Sequence, residues 1–303
     1  MAFAALGQGG AKTAQPTKSS RVAFVLLAPG VIYLGLFFLT PLISLIITSL
    51  KTASMTGVIG MYDYGLEFGN YTYAVSQYGP QIFRSFVYAV IATVMALIIS
   101  YPIAYFIGVK ARNRPVLQAL LLTLVIAPFF ISFLLRTLAW KQIFSNESPV
   151  TQVLQALTLL PADQNIIGTP FAVIFGLTYN FIPFMTLPIY TSLERLDLRL
   201  VEAGSDLYAG PAKTFWKVTL PLSMPGVISG TLLTFIPISG DYISASRDFL
   251  GDSDTSMLGN VVEATYLRMQ DYPTASALSV MLMAAIVIIV STYVRRSGTE
   301  DLL

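Results

Sequence analysis

From Val22 onward the chain alternates long apolar runs with short segments that hold the charges. Six runs, 22–50, 85–109, 115–135, 164–193, 218–240 and 272–294, contain no ionisable acid or base. The shortest is about 21 residues, long enough to cross a ~30 Å hydrocarbon core as a helix. The pattern predicts an all-α membrane protein with six transmembrane helices, at about 22–50, 85–109, 115–138, 168–193, 221–243 and 273–294. The first run is too long for a signal-peptide core and lacks a small-residue cleavage site, so it reads as the first span. Residues 1–21 are small, polar and basic and read as a disordered tail. Residues 297–303 read as a second short tail.

Two segments between the runs have helical periodicity. Val150, Val153, Leu154, Leu157 and Leu160 recur at steps of three or four. Met257, Val261, Tyr266 and Met269 suit an amphipathic helix over 257–269. The longest charged segment between two apolar runs is 194–220. Its first part, Leu193–Leu207, reads as a helix with Leu196, Leu200, Ala203 and Leu207 on one face and Arg195, Arg199, Glu202 and Asp206 beside it. Glycine costs a helix about 1 kcal/mol relative to alanine, so Gly204 needs a packing reason. Gly210-Pro211 forces a turn. A second short helix, Ala212–Val218, carries Phe215 and Trp216. Leu220-Pro221 ends it, and Pro225-Gly226 resets the chain into the fifth span.

Composition supports a bilayer as the main solvent: 55% of residues are hydrophobic, 11% are charged and the mean hydropathy is +0.69, against about 25% charged in a soluble domain. The basic residues set the orientation. With the N-terminus inside, Lys12, Lys18, Arg21, Lys110, Arg112, Arg114, Arg195, Arg199, Lys213, Lys217, Arg295 and Arg296 are cytoplasmic. Lys51, Arg84, Arg136, Lys141, Arg247 and Arg268 are outside. Both termini and the 194–220 loop are therefore expected in the cytoplasm.

The chain has no Cys and no His, which removes a Cys nucleophile, thiolate metal sites, and the commonest general base and metal ligand of enzymes. Gly10-Ala11-Lys12-Thr13 superficially matches a phosphate loop but lacks the Gly before Lys and the preceding strand. An ion-driven carrier would need intramembrane charges, and the six runs have none. Pro183 and Pro237 fall inside spans on either side of the inner loop and suggest bends. Asp241 and Tyr242, next to Pro237 near the outer surface, are candidates for a solute path; Asp241 equally suits outer water or local backbone hydrogen bonds. Asp248, Asp252 and Asp254 form an acidic outer patch. Arg136 and Trp140 suit an interfacial anchor or a pair with one of these acids.

Glu202, Ala203, Gly204, Leu207, Ala209, Phe215, Val218, Thr219, Leu220, Pro221, Leu222, Pro225 and Gly226 stand in an order that resembles the inner-membrane permease subunits of binding-protein-dependent ABC importers. The resemblance spans roughly 22–296. It implies that Glu202, Ala203, Gly204, Ser205, Asp206, Leu207, Tyr208, Ala209 and Gly210 form a coupling helix seated in a groove of an ATPase subunit. That family usually has Ala at the place of Gly204 and Gly at the place of Tyr208. Asn70-Tyr71, Arg84-Ser85, Tyr101-Pro102-Ile103-Ala104-Tyr105, Arg136-Thr137-x-x-Trp140, Phe235-Ile236-Pro237, Gly240-Asp241-Tyr242, Leu250-Gly251, Gly259-Asn260 and Asp271-Tyr272-Pro273 resemble the subfamily that moves polyamines, and related permeases share several of them. The resemblance implies a non-catalytic subunit of the bacterial inner membrane, working by alternating access. Its implied partners are an ATPase dimer that uses the ATP, a second homologous permease and an extracytoplasmic binding protein. No cofactor and no nucleic acid are expected on this chain.

Overall fold

The computed structural model describes residues 21–54, 58–157, 161, 165–206, 208 and 210–296. The tails expected at 1–21 and 297–303 lie outside these residues, save Arg21. The chain divides into two compact units at Ile47/Thr48. The described part of the first is most of an apolar helix, α1 (Val25–Ser49), whose last two residues fall in the second unit and which is interrupted only by a wide π turn at Gly35–Leu39. Its large side chains, Leu26, Ile32, Phe37 and Phe38 among them, are exposed, as suits a helix whose solvent is lipid.

The second unit opens with a small hairpin, β1 (Thr52–Ala53) paired antiparallel with β2 (Tyr62–Asp63). Then comes α2 (Gly69–Lys110), 42 residues long. The span expected at 85–109 therefore has a helical extension of four turns on its N-terminal side. Arg84 interrupts the apolar run, but Ala74, Tyr78 and Ile82 keep a helical spacing across it and pack with Leu258, Val261 and Leu278. Helix continuity here follows tertiary packing of one stripe rather than hydropathy.

α3 (Pro115–Phe130) and α4 (Phe133–Ile143) meet at 93°, so the third span, expected at 115–138, is broken. Pro128 lies in a closing 3-10 turn, and Ile131 and Ser132 are extended (ψ 135 and 138). Proline lacks the N–H that would continue the ladder. α5 (Pro149–Ala156) covers part of the helix expected over 150–160; Thr151 faces inward while Val150, Val153 and Leu157 are exposed, and Leu160 is outside the described residues. α6 (Pro170–Glu194) runs unbroken through Pro183 and Pro188.

α7 (Leu198–Asp206), α8 (Pro211–Leu222) and α9 (Met224–Ser239) follow, with a 66° bend between the last two. The region of the fifth span, expected at 221–243, is thus bent at Ser223 and its helix ends at Ser239, and the preceding short helix extends to Leu222 rather than ending at Val218. Pro237 sits in the last turn of α9, so the two breaks of the fold are at 131–132 and Ser223 rather than at Pro183 and Pro237. After an irregular stretch come α10 (258–268) and α11 (Tyr272–Arg296). On α10, Val261 is buried with the preceding Met257 while Tyr266 and nearby Met269 are exposed, so the expected apolar stripe is divided. Among the described residues four helices are long and apolar enough to span a bilayer, or up to six if each bent pair counts as one span.

The core is the packing of α2, α6 and α9. Tyr88, Ala89 and Ala92 meet Val173, Leu177 and Phe181 and, from α9, Phe235 and Ile238. At the other end of the same three helices, Ala96, Tyr101, Ala104 and Ile107 meet Met185, Ile189, Tyr190, Leu193 and Val227. Small residues permit this closeness, because helix association in lipid rests on contact rather than on the hydrophobic effect. At Gly226 an added Cβ would lie 2.6 Å from the Pro188 carbonyl oxygen, and at Gly230 it would lie 3.0 Å from that of Met185. The α6–α9 seam is therefore backbone against backbone.

Candidate coupling element and path residues

The hairpin expected on the cytoplasmic side begins where α6 stops. The Tyr190 hydroxyl donates to Glu194 Oε1 (2.6 Å), and Gln118 Nε2 donates to both the Tyr190 oxygen (3.2 Å) and Glu194 Oε1 (3.4 Å). Arg112 Nη1 donates to the Leu196 carbonyl (2.8 Å). The link between α2 and α3 is thereby tied to the first residues of the hairpin. Asp197 Oδ1 then accepts the Arg199 N–H (3.0 Å) and opens α7, as an acceptor before a helix does. A helix expected from Leu193 thus begins at Leu198.

Glu202 and Ala203 are exposed on α7. Of the apolar face expected from Leu196, Leu200, Ala203 and Leu207, Leu196 is buried, Leu200 is about half exposed and Ala203 is exposed. The physical reason is that the turn at 195–197 separates Leu196 from α7, so they do not share one helical face. Gly204 has the packing reason its helix cost demands. An added Cβ would sit 3.0 Å from Thr214 Cγ2 and 3.1 Å from its Oγ1 on α8. The backbones of Ser205 and Asp206 close α7; Leu207 and Ala209 lie outside the described residues. Tyr208 has φ +55° and is fully exposed. This left-handed conformation is the one glycine adopts freely, which explains why glycine is usual there. Gly210 precedes α8 in extended conformation, with Pro211 at the first helical position.

On the other arm, Phe215 stands edge-on to Tyr101 (5.4 Å) and Tyr105 (6.3 Å) of α2, while Trp216 is exposed. The Tyr101 hydroxyl is 2.8 Å from Ser223 Oγ, which itself donates to the Leu220 carbonyl (3.0 Å). Tyr101 is therefore the donor in that pair, and it holds the α8–α9 bend against α2. The hairpin has one side fastened to the bundle and leaves Leu200, Glu202, Ala203, Tyr208 and Trp216 open.

The candidate path residues do not converge. Asp241, just past α9, is buried. Its Oδ1 accepts the Ser244 N–H (2.7 Å) and its Oδ2 the Ser244 hydroxyl (3.4 Å), so its carboxylate is engaged in its own turn. Tyr242 is half exposed, and its carbonyl accepts from Asn260 Nδ2 (2.6 Å). Gly259 allows α10 to abut this turn: a Cβ there would be 2.6 Å from the Asp241 and Gly240 oxygens. The acidic patch expected on the outer side is mixed in charge. Arg247 Nε pairs with Asp252 Oδ1 at 3.0 Å, and a cavity of about 330 Å³ is lined by Arg247, Asp248, Asp252, Glu263 and Arg268. Exposed pairs of this kind contribute little to stability.

Arg136 was expected at an interface and is instead buried, with no acid within ion-pair distance among the described residues. Trp140 anchors an aromatic cluster with Phe175 (4.6 Å) and Tyr179 (5.1 Å) of α6. Hydropathy gives no signal for either placement, since both depend on α4 folding back across α6. Among the described residues no cluster of acidic side chains could hold a metal ion.

The chain belongs to a known family of transport proteins: residues 100–297 match the binding-protein-dependent transport system inner membrane component family. It is a permease component of an ABC importer and a multi-pass protein of the bacterial inner membrane. It is similar to the spermidine/putrescine transport system permease protein PotB of Escherichia coli K12, 34% identical over 88% of this chain and 94% of the relative. PotB of Haemophilus influenzae is 32% identical over 88% and 91%. A bacterial ABC transporter involved in the import of the acidic polysaccharide alginate shares the fold at TM-score 0.64 and 15% identity, covering 93% of this chain and 96% of that one. The MetNI methionine ABC transporter does so at TM-score 0.55 and 18% identity, covering 72% and 94%.

Proposed function

We propose that this chain is half of the translocation pathway of an ATP-driven polyamine importer, coupled to a separate ATPase dimer through Leu198–Gly210. The observation that carries the solute is the 32–34% identity to spermidine/putrescine permeases along 88% of the chain. The alginate and methionine importers share the fold, so the fold alone leaves room for another small solute. In this reading six spans cross the membrane, with α3–α4 and α8–α9 each one bent span, and both termini face the cytoplasm. A second homologous permease supplies the other half of the path, and an extracytoplasmic binding protein delivers the solute. The chain catalyses nothing and binds no cofactor; ATP is used by the partner.

The coupling assignment rests on the exposed Glu202 and Ala203 of a helix that is fastened behind by Gly204–Thr214 contact and the Arg112–Leu196 bond. ATP-driven closure of the ATPase dimer would push on α7. The push would reach α2 through Phe215 and Tyr101, and would reach α9 through Ser223. Alternating access follows if the three core helices rock in response. Asp241, Tyr242 and Pro237 stay in this reading as the outer end of the path, Tyr242 through its open aromatic face. Reconstitution with the partner ATPase, second permease and binding protein should give ATP-dependent uptake of labelled spermidine or putrescine. Glu202→Lys or Ala203→Arg should lower it about tenfold or more, equivalent to ~1.4 kcal/mol off the docked state. Unchanged uptake in both variants would remove the coupling assignment; absence of polyamine uptake with transport of another solute would remove the cargo.

A further inference from the structure

Among the described residues, Arg136 and Asp241 are the only buried charged side chains. Asp241 is satisfied by Ser244. Arg136 is not: its Nε and Nη1 are sealed from solvent and have no partner. The Phe133 ring lies 5.7 Å from Cζ, and Tyr179 also acts on its charge, but a neutral ring or phenol does not balance it. Its sequence neighbour Thr137 is already committed, donating to the Phe133 carbonyl (3.0 Å) and accepting from Asn180 Nδ2 (3.3 Å). Asn180 is itself buried with a partnerless Oδ1. An amide oxygen can take one or two of the guanidinium hydrogens but leaves the charge unneutralised. Both ion pairs among the described residues use other residues. Arginine keeps its proton under all ordinary conditions, and an uncompensated buried charge is strongly unfavourable. None of the described residues supplies the compensating charge.

We propose that Arg136 is the receptor for a single carboxylate, supplied by an acidic side chain of the second permease subunit. This rests on the paired-permease reading above. A carboxylate fits because the planar guanidinium matches its two oxygens and one negative charge balances one positive. A phosphate would bring nearly two charges to one arginine. Because Nε and Nη1 are closed off, the carboxylate is admitted when α4 shifts against α6, on assembly or during transport. A polyamine has no carboxylate, so with that cargo the charge comes from the subunit. A solute bearing a carboxylate is the other source of the same chemistry.

The test uses the assembled importer, with both permeases and the ATPase in nanodiscs for structure and in liposomes for uptake. Its cryo-electron microscopy structure should place a carboxylate oxygen of the second permease within about 4 Å of an Arg136 nitrogen, the limit for an ion pair. Only water or backbone carbonyls at Arg136, in both nucleotide-free and ATP-bound complexes, overturns the proposal, whether or not any variant folds. Arg136→Gln should lower spermidine and putrescine uptake about tenfold, and neutralising the partnering acid in the same complex should restore most of it, the signature of a matched pair. A loss confined to γ-aminobutyrate, which joins an amine to a carboxylate, assigns the carboxylate to the solute and overturns the subunit source. Unchanged uptake of every transported solute in Arg136→Gln overturns the receptor altogether. Failure of the cargo reading is separate, since it shows as wild-type importer that moves neither polyamine.

Discussion

Tyr208 holds a left-handed backbone at an exposed turn, at a cost of roughly 1–2 kcal/mol for an L-residue with a side chain. Tyr208→Gly should therefore raise the stability of the hairpin by about 1 kcal/mol or less, since glycine also gains freedom when unfolded. Thermal unfolding in detergent measures this, and a loss of stability would mean that the ring makes contacts in the complex. Gly204 behaves differently. Gly204→Ala gains about 1 kcal/mol of helix propensity and asks Thr214 to yield by a few tenths of an ångström, so its net effect should be small. Gly204→Val should separate α7 from α8 and reduce ATP-dependent uptake, while expression stays near normal. Gly251 is the harshest case. A Cβ there would lie 2.0 Å from the Ala245 carbonyl oxygen, and backbone cannot move aside as a side chain can. Gly251→Ala should fail to accumulate in the membrane, as blotting of membrane fractions would show.

At the scale of elements, the bend at Ser223 depends on a hydrogen bond to a different helix. Tyr101→Phe and Ser223→Ala should each cost about 1 kcal/mol, and the double variant little more than either alone. Additive effects in that cycle would mean the bend is held by Pro225 and packing instead. The β1–β2 hairpin has its own tie: the Tyr62 hydroxyl donates to the Gln270 carbonyl (3.0 Å). Partial burial, then the charge of Asp271, then Tyr272, push the Tyr62 phenol above its ordinary value. The folded state thus holds this proton more tightly than the unfolded chain. The tie is fully present below the free tyrosine range near pH 10 and weakens as pH rises beyond it. Hydrogen exchange of the hairpin amides should show an alkaline loosening that Tyr62→Phe removes, leaving a weaker but pH-independent attachment.

For the molecule as a whole, the all-helical membrane character and the hairpin between α6 and α9 could be read directly from residues, while the expected six spans correspond, among the described residues, to four long apolar helices and two bent pairs. Charge-free runs report the bilayer, and Gly210-Pro211 marks its turn by backbone chemistry alone. The breaks could not be read. Pro183 lies in an unbroken helix whereas Pro128 ends one, because the outcome depends on what neighbouring helices supply, and periodicity within one segment carries no such information. Arg84 hid the four-turn extension of α2, which is held by Leu258 and Leu278 from far along the chain. Arg136 and Asp241 are similar in sequence terms, single charges at the ends of apolar runs, yet one is satisfied by its own turn and the other is left alone. The α6–α9 seam also bears on how the bundle can work. With Gly226 and Gly230 pressed onto the Pro188 and Met185 carbonyls, neither helix has side-chain slack to slide along the other. The two must travel as a single oar, pivoting where the backbone changes direction at Ser223. A wedge as small as one methyl group at Gly226 would meet the Pro188 carbonyl at 2.6 Å and should split the oar along its length, so that the stroke is lost with the seam.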